Sequence, residues 1–267
     1  MSGRLSGLAA WLLYPITLAM MLFILAPLLV TMAISVSDSA YVEFPPHGFT
    51  LSWYGKVLAD SDFIDSLIFS AGLAVAATSG ALLLGMPAAF AVVRHEFPGR
   101  GAVSAALLSP LVFPVLITGV ALLQMFATMR SNNTVLNLLI AHVLVTTPYV
   151  VRTVAASLML VDLTLEEAAR TLGASNSRVF RRITLPQIAP GLTAGVLFAF
   201  MISFDNFPIS LWLADAQHNP VPLLIFQMIA SVFEPSVAAI STLMIVLSMA
   251  IVLIVERVAG LRRAMAM

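Results

Sequence analysis

The sequence predicts an all-α membrane protein with six transmembrane helices, and three observations lead to this fold class. The 267-residue chain is 60% hydrophobic and 10% charged, and its mean hydropathy is +1.02. A soluble domain of this size lacks the interior to bury so much apolar surface, so lipid must solvate it. Six apolar runs also reach the length of about 20 residues that a helix needs to cross a bilayer. Finally, most cations lie on one side of these runs.

The six predicted spans follow one another along the chain. They cover residues 9–35, 64–93, 102–129, 134–157, 190–214 and 236–258. The first run exceeds the roughly 7–15 apolar residues of a signal peptide, so we interpret it as a retained helix. This predicts an N-terminal part at 1–63 (one span and an external loop), a core of five spans at 64–258 with a polar loop at 158–189, and a tail at 259–267.

The distribution of charge predicts that both termini lie in the cytoplasm. With the N-terminus inside, the external loops keep only two cations, Lys56 and Arg130, and carry most of the acids. The cytoplasmic segments then hold Arg4, Arg94, Arg100, Arg170, Arg178, Arg181, Arg182, Arg257, Arg262 and Arg263. Cytoplasmic loops of membrane proteins show this excess of Lys and Arg, so the pattern favours an N-in, C-in topology.

Aromatic residues and prolines mark two further places. Trp53, in the first external loop, suits the membrane–water boundary, and a ligand contact is the alternative. Pro110 and Pro114 lie four residues apart in the third span, where they remove backbone donors and bend the helix. A bent helix at membrane depth is a candidate lining of a pathway. A kink that serves packing alone is the other interpretation.

The polar loop at 158–189 predicts a helix–turn–helix. Thr164 and Glu167 fit a capping box, and Gly173 is placed to end the first helix in a left-handed conformation. Ser175 can cap a second short helix, which Pro186 is expected to end. The result would be a small rigid element lying along the membrane surface. On charge alone it could equally be an amphipathic helix anchored on anionic lipid.

The spacing within this loop resembles a known motif. Glu167-Ala168-Ala169 is followed by three residues, Gly173, nine residues, and Ile183-Thr184-Leu185-Pro186. This pattern resembles the EAA loop of the membrane permease subunits of bacterial ATP-binding-cassette (ABC) importers. The resemblance implies a non-enzymatic subunit in the bacterial inner membrane whose loop docks a separate ATPase. The residues implied in coupling are Glu166, Glu167, Ala168, Ala169, Gly173, Ile183, Leu185 and Pro186.

The resemblance also implies partners. These are a dimer of ABC ATPase subunits that binds ATP and Mg²⁺, a second permease chain, and a soluble periplasmic or extracellular binding protein. The second chain is expected to be a related heterodimer partner, with a homodimer as the alternative. We expect no cofactor in this chain and no nucleic-acid partner.

The residues themselves exclude several other functions. The single lysine, Lys56, follows no Gly-rich phosphate loop, and the chain contains no cysteine. A self-sufficient secondary transporter would show inverted repeats and paired ionisable groups across several spans. An intramembrane enzyme would need two or more catalytic groups at membrane depth. Neither pattern is found in the sequence.

The fifth span carries the clue to the solute. Ser203, Asp205 and Asn206 precede Pro208, and an ionisable group in a span usually faces a cavity, a partner or a substrate. Asp205 or Asn206 could instead cap broken backbone. The segment resembles the second permease of spermidine/putrescine importers, which implies a path for a cation. That branch commonly has acids where Asn206 and Leu111 stand, so an opine, an amino-acid-derived solute or an anion stays open.

Overall fold

The computed structural model describes residues 7–231 and 234–259, and all regular structure in these residues is helical. The cations Arg4, Arg262 and Arg263 and nearly all of the predicted tail lie outside the described residues. The helices are α1 (Gly7–Ile34), α2 (Ser52–Leu58), α3 (Ser61–Arg94), α4 (Arg100–Leu108), α5 (Val115–Thr128), α6 (Thr134–Leu158), α7 (Leu163–Thr171), α8 (Asn176–Val179), α9 (Leu185–Phe204), α10 (Phe207–Leu213), α11 (Val221–Ser231) and α12 (Pro235–Ala259).

Within the described part of the chain, five stretches are single helices that are long and apolar enough to cross a membrane. They are Leu13–Ile34, Ser61–Arg94, Thr134–Leu158, Asn176–Phe204 and Pro235–Arg257. A sixth candidate is the bent pair Arg100–Leu111 and Val115–Thr128. Each of the six predicted apolar runs therefore corresponds to one of these stretches. The prediction of an all-α, multi-span protein is confirmed, with two corrections to individual spans.

The predicted span at residues 102–129 is not one helix. A 3₁₀ turn at Ser109–Leu111 contains Pro110, Pro114 takes the N-cap position of α5, and the two halves are bent by 102°. Proline has no N–H and clashes with the preceding turn, so two prolines four apart interrupt the ladder twice. The predicted kink is confirmed, but it is a break in the helix rather than a bend.

The fifth span begins earlier than predicted. A π-helical turn at Phe180–Thr184 joins α8 to α9, and the helix runs on through Pro186. The prediction that Pro186 ends a short surface helix is wrong. In an α-helix the proline ring meets the carbonyl four residues back. The π turn, closed by the bond from the Leu185 N–H to the Phe180 carbonyl, widens the helix just before the ring.

Residue contacts divide the chain into two compact units. One comprises Met1–Ser61 with Ile225–Leu247, and the other comprises Asp62–Leu224 with Ser248–Met267. In the larger unit, one buried apolar cluster joins α3, α6 and α9, and a second joins α3, α5, α6 and α10. The core of this unit thus centres on α6.

Two glycines let α9 approach α6 closely. A Cβ built on Gly191 would lie 2.5 Å from the carbonyl oxygen of Thr153, and one on Gly195 would lie 2.7 Å from the Thr153 Oγ1. Within lipid, packing rather than the hydrophobic effect holds helices together, so small residues at the interface permit the contact. The packed pair of α6 and α9 therefore positions two features that are described below: the loop before α9 and the C-terminal end of α9.

Candidate functional site

The loop between α6 and α9 begins with a capped helix. Asp162 precedes α7, and its Oδ1 accepts hydrogen bonds from the Thr164 backbone N–H at 2.9 Å and from the Thr164 hydroxyl at 2.7 Å. The predicted capping box of Thr164 and Glu167 is therefore wrong. Aspartate is as good an N-cap as threonine, and here it lies two residues upstream.

The end of α7 matches the prediction for Gly173. This residue has a φ of +82°, in the left-handed region that favours glycine. Its N–H bonds the Arg170 carbonyl at 2.9 Å, and the N–H of Ala174 bonds the Ala169 carbonyl at 3.0 Å. These two bonds define a Schellman motif, which satisfies carbonyls that the helix end leaves open. Ser175 is at the N-cap of α8, although its side chain makes no capping bond.

Glu166 is turned into the protein, away from the exposed face of α7. Its Oε1 accepts from Arg94 Nη2 at 2.9 Å and from Thr184 Oγ1 at 2.8 Å, and its Oε2 lies 3.3 Å from Arg170 Nη2. The side chain is 7% exposed. The carboxylate thus connects the last residue of α3 to α7 and to the π turn before α9. We will call these four residues the Glu166 cluster.

The remaining motif residues lie mostly on the outer face of the loop. Glu167, Ala168 and Leu172 are exposed, Ala169 is half-buried, and a cavity of about 440 Å³ opens beside them. The cavity is lined by Phe90, Arg94, His95, Leu163, Glu166, Glu167, Arg170, Asn176, Val179, Phe180 and Thr184. Ile183 and Leu185 are half-buried and Pro186 is exposed, at the start of the fifth span. The outer face of α7 thus carries small side chains and lies beside a cavity that polar residues help to line.

The fifth span breaks at Asp205 and Asn206. α9 ends at Phe204, and the Asn206 Oδ1 accepts from the Ile209 N–H at 3.1 Å to cap α10. Asn206 is buried, whereas Asp205 is exposed on the surface of this chain. Of the alternatives that the sequence left open, backbone capping describes Asn206.

Ser203 forms a buried hydrogen bond that the sequence did not suggest. Its Oγ lies 2.8 Å from Nδ1 of His142 on α6, and both side chains are almost fully buried. The Nε2 of His142 has no hydrogen-bond partner among the described residues. The signal was present, because an ionisable residue within an apolar run marks a functional candidate. His142 is nevertheless absent from the predicted site residues, although it lies within the predicted span at 134–157.

The other predicted pathway residues have separate settings. Trp53 donates from Nε1 to the Ser37 carbonyl at 2.9 Å, and the ammonium of Lys56 lies 5.5 Å from its ring centroid. Pro110 lines an apolar cavity of about 950 Å³ that α3, α4 and α6 also border. Pro114 is exposed at the start of α5. A Cβ on Gly119 of α5 would lie 3.1 Å from the Pro208 carbonyl, so α5 and α10 approach closely.

The fold and this loop define a class of protein: a multi-span membrane protein with a helical loop between its fourth and fifth spans. The chain belongs to the family of binding-protein-dependent transport system inner membrane components, whose model matches residues 81–261. It is thus a permease subunit of an ABC importer, a multi-pass protein of the inner membrane and not itself an enzyme.

Curated relatives cover most of the chain. The spermidine/putrescine transport system permease protein PotC of Haemophilus influenzae is 34% identical over 207 residues, which are 78% of this chain and 80% of the relative. The putrescine transport system permease protein PotI of Escherichia coli is 32% identical over 230 residues, 84% and 82% of the two chains. The sulfate transport system permease protein CysT of Salmonella typhimurium is 28% identical over 182 residues, 62% and 66%.

Solved structures share the fold. A chain of a bacterial ABC transporter that imports the acidic polysaccharide alginate matches with a TM-score of 0.71 at 17% identity, covering 96% of this chain and 98% of that one. A chain of the MetNI methionine ABC transporter in an inward-facing conformation matches with a TM-score of 0.63 at 14% identity, covering 74% and 94%. At these identities the likeness extends to the fold alone.

Proposed function

We propose that this chain forms the membrane passage of an ATP-driven importer for a small cationic solute of the polyamine type. The observation that carries the substrate class is the acidic residue Asp205, which is partly exposed at the helix break in the fifth span. Insertion scales put the cost of an ionised group at membrane depth at about 2.5–3.5 kcal/mol, so such a group usually has a function. The relatives named for putrescine and spermidine transport support the same class.

In this proposal the loop at 158–189 receives the movement of the ATPase. The exposed residues Glu167 and Ala168, with Ala169, present a face on which a partner backbone can approach closely. Gly173 fixes the turn, and Ile183, Leu185 and Pro186 lead directly into the fifth span because the helix is continuous there. Closure of the ATPase dimer would rock the attached membrane helices as rigid bodies and open the passage alternately to the two sides.

Pairings within each unit agree with the grouping of loops that the proposed N-in, C-in topology requires, and the excess of cations in one group indicates which group is cytoplasmic. In the larger unit, Arg94 meets Glu166, and both were predicted on the cytoplasmic side. A hydrogen bond from Thr134, with one from His218, holds the pKa of Asp215 below its usual range, and Thr134 and Asp215 were both predicted at the external side. In the smaller unit, Lys56 and Glu234, both predicted external, form an ion pair at 2.8 Å.

The partners follow from the same mechanism. We propose an ABC ATPase dimer on the cytoplasmic loop, a soluble binding protein on the external loops, and a second, related permease that completes the passage as a heterodimer. Residues 64–258 would form the transport core and residues 1–63 an additional span with an external loop. One of the solved structures with this fold is described in complex with an alginate pentasaccharide-bound periplasmic protein.

An alternative solute class shares the same machinery. Asn206, which stands where the polyamine branch commonly has an acid, is committed to capping α10, and Leu111 offers no charge. With fewer counter-charges, an opine, an amino-acid-derived solute or an anion is the second candidate.

The test is ATPase stimulation of the complete complex in lipid nanodiscs. The matching binding protein would be loaded in turn with putrescine, spermidine, a neutral amino acid and sulfate. Stimulation by the polyamines alone is expected. Stimulation by another solute alone would refute the polyamine class but leave the importer intact. No dependence of ATPase activity on any loaded binding protein would refute the coupled mechanism itself.

A further inference from the structure

We infer that Glu166 is the positioning residue that fixes the docking helix α7 to the membrane-spanning helices. The resemblance places Glu166 among residues that contact the ATPase, but its carboxylate points to the opposite side. This inference rests on the proposed coupling role of the loop and assigns a different task to one residue within it. In this assignment Glu166 does not contact the ATPase. It determines which other residues of α7 face the ATPase.

The geometry of the Glu166 cluster supports this role. The carboxylate contacts residues 72 positions before it and 18 positions after it, so it joins three segments that are separate in sequence. Arg94 is the last residue of α3 and its side chain is 19% exposed, while Thr184 is the last residue of the π turn and is 4% exposed. One oxygen therefore ties α7 to the second span and, through Thr184, to the fifth.

Apart from the hydrogen bond from the Asp162 N–H to Gln187 Oε1 of α9 at 3.1 Å, the rest of α7 makes few contacts that could hold its orientation. A nine-residue helix is marginal in water without tertiary contacts, and Leu163, Leu165 and Leu172 are all about half exposed or more. Successive residues of an α-helix are about 100° apart around its axis. Holding Glu166 inward therefore turns Glu167 and Ala168 outward. If α7 could rotate about its own axis, Glu167 and Ala168 would no longer face outward, although the sequence of the helix would be unchanged.

The choice of charged groups also indicates positioning. Apolar packing can hold two helices together at least as firmly as a buried ion pair, because a buried pair has to offset the desolvation of both charges. What the pair adds is a defined geometry, since the carboxylate oxygens must meet particular donors. Arg170, at 3.3 Å and 49% exposed, is the weaker third contact.

The decisive variant is Glu166→Gln, which keeps the shape and can still accept from Thr184 but loses the charge opposite Arg94. Its matched control is Glu96→Gln, an exposed carboxylate two residues beyond Arg94. The reconstituted complex would be measured for ATPase subunit retained, for ATP hydrolysed, and for solute imported per ATP. The solute is whichever of putrescine, spermidine, a neutral amino acid or sulfate stimulates the unmodified complex.

We expect Glu166→Gln to retain the ATPase subunit and to import roughly tenfold less solute per ATP, within the usual range of coupling between sites. The control should match the unmodified complex. The exchanged pair Arg94→Glu with Glu166→Arg should recover part of the ratio. A residue needed only for stability would lower the yield of complex and leave the ratio unchanged, and that result would overturn the inference.

A second measurement, which needs no solute, tests the inference even if Glu166→Gln assembles poorly. Because the chain has no native cysteine, spin labels can be placed at Glu96 and Leu172 in complexes whose other subunits lack reactive cysteines. A fixed α7 predicts the same distance between the labels in the nucleotide-free and ATP-trapped states, and a broader distribution in Thr184→Val. A label distance that changes with nucleotide in the unmodified chain would overturn the inference. If a Gly173 variant lost coupling and Glu166→Gln did not, the positioning role of Glu166 would be overturned, whereas the proposed function of the loop would stand.

Discussion

Replacing Gly173 by valine tests the docking role of α7 at its C-terminal cap. The φ of +82° suits glycine, and no atom outside its immediate chain neighbours lies within 4 Å of an added Cβ. The cost of the substitution is therefore backbone strain rather than a clash. For a non-glycine residue this strain is about 1–2 kcal/mol, with the β-branched side chain at the upper end.

The strain is expected to appear as lost transport. A penalty of 1–2 kcal/mol changes a two-state ratio by a factor of about 5–30, and the short helix α7 has little stability with which to absorb it. Uptake by Gly173→Val in membrane vesicles should fall by about this factor while the chain still inserts. Gly173→Asn should lose much less, because asparagine tolerates the left-handed conformation at a helix end.

Gly99 provides a matched control. Its φ is +83°, and an added Cβ would again meet no atom within 4 Å. It lies at the N-cap of α4, outside the motif. Gly99→Val should therefore show similar backbone strain without the loss of coupling. The reasoning is refuted if Gly99→Val loses as much uptake as Gly173→Val, or if Gly173→Val transports normally.

Three further predictions concern other parts of the chain. Asp205→Asn should reduce uptake of putrescine about tenfold or more, because a hydrogen bond to a charged group contributes about 1.5–3 kcal/mol. Equal uptake by the variant would indicate that Asp205 has a structural role. Gly191→Ala should destabilise the detergent-solubilised protein by about 1–3 kcal/mol through overpacking against α6. Gly101→Ala, which meets no atom within 4 Å, should not lower the melting temperature, because alanine favours a helix more than glycine does. The hydrogen bond from Lys56 holds the pKa of Glu234 below its usual range, so this pair stabilises the fold at neutral pH and loses its contribution as the pH falls through that lowered pKa. At pH 7 the melting temperature of Lys56→Met should lie only slightly below that of the unmodified chain, because the pair is largely exposed. The two melting temperatures should converge in acid. A difference that persists in acid would contradict this role of the ion pair.

Apolar length and proline positions sufficed to predict where the helices lie and where the third span is interrupted. The sequence could not give the size of that interruption, because a proline kink and a break differ in how the freed backbone groups are satisfied by neighbours. Pro186 shows the converse error. A proline usually ends a helix, but here the preceding turn adopts π geometry and the helix continues into the fifth span.

The candidate site was predictable where it depends on backbone conformation. Gly173 in a left-handed cap follows from the residue type and from its position after a predicted short helix. The direction of Glu166 did not follow, because two adjacent glutamates in a short polar helix leave open which of them turns inward. Only the tertiary contacts with Arg94 and Thr184 decide which one is buried.

The π turn at Phe180–Thr184 has a consequence for the angular phase of the whole fifth span. A turn with i→i+5 bonds holds about one residue more than an α-helical turn, so the side chains after it are offset by about 100° from an uninterrupted helix. Deleting one residue there would leave every motif residue in the chain. It would nevertheless direct Gly191 and Gly195 away from α6 and Ser203 away from His142. The number of residues between Gly173 and Ile183, which is nine, therefore determines how the loop at 158–189 is oriented relative to side chains about five helical turns further along the span.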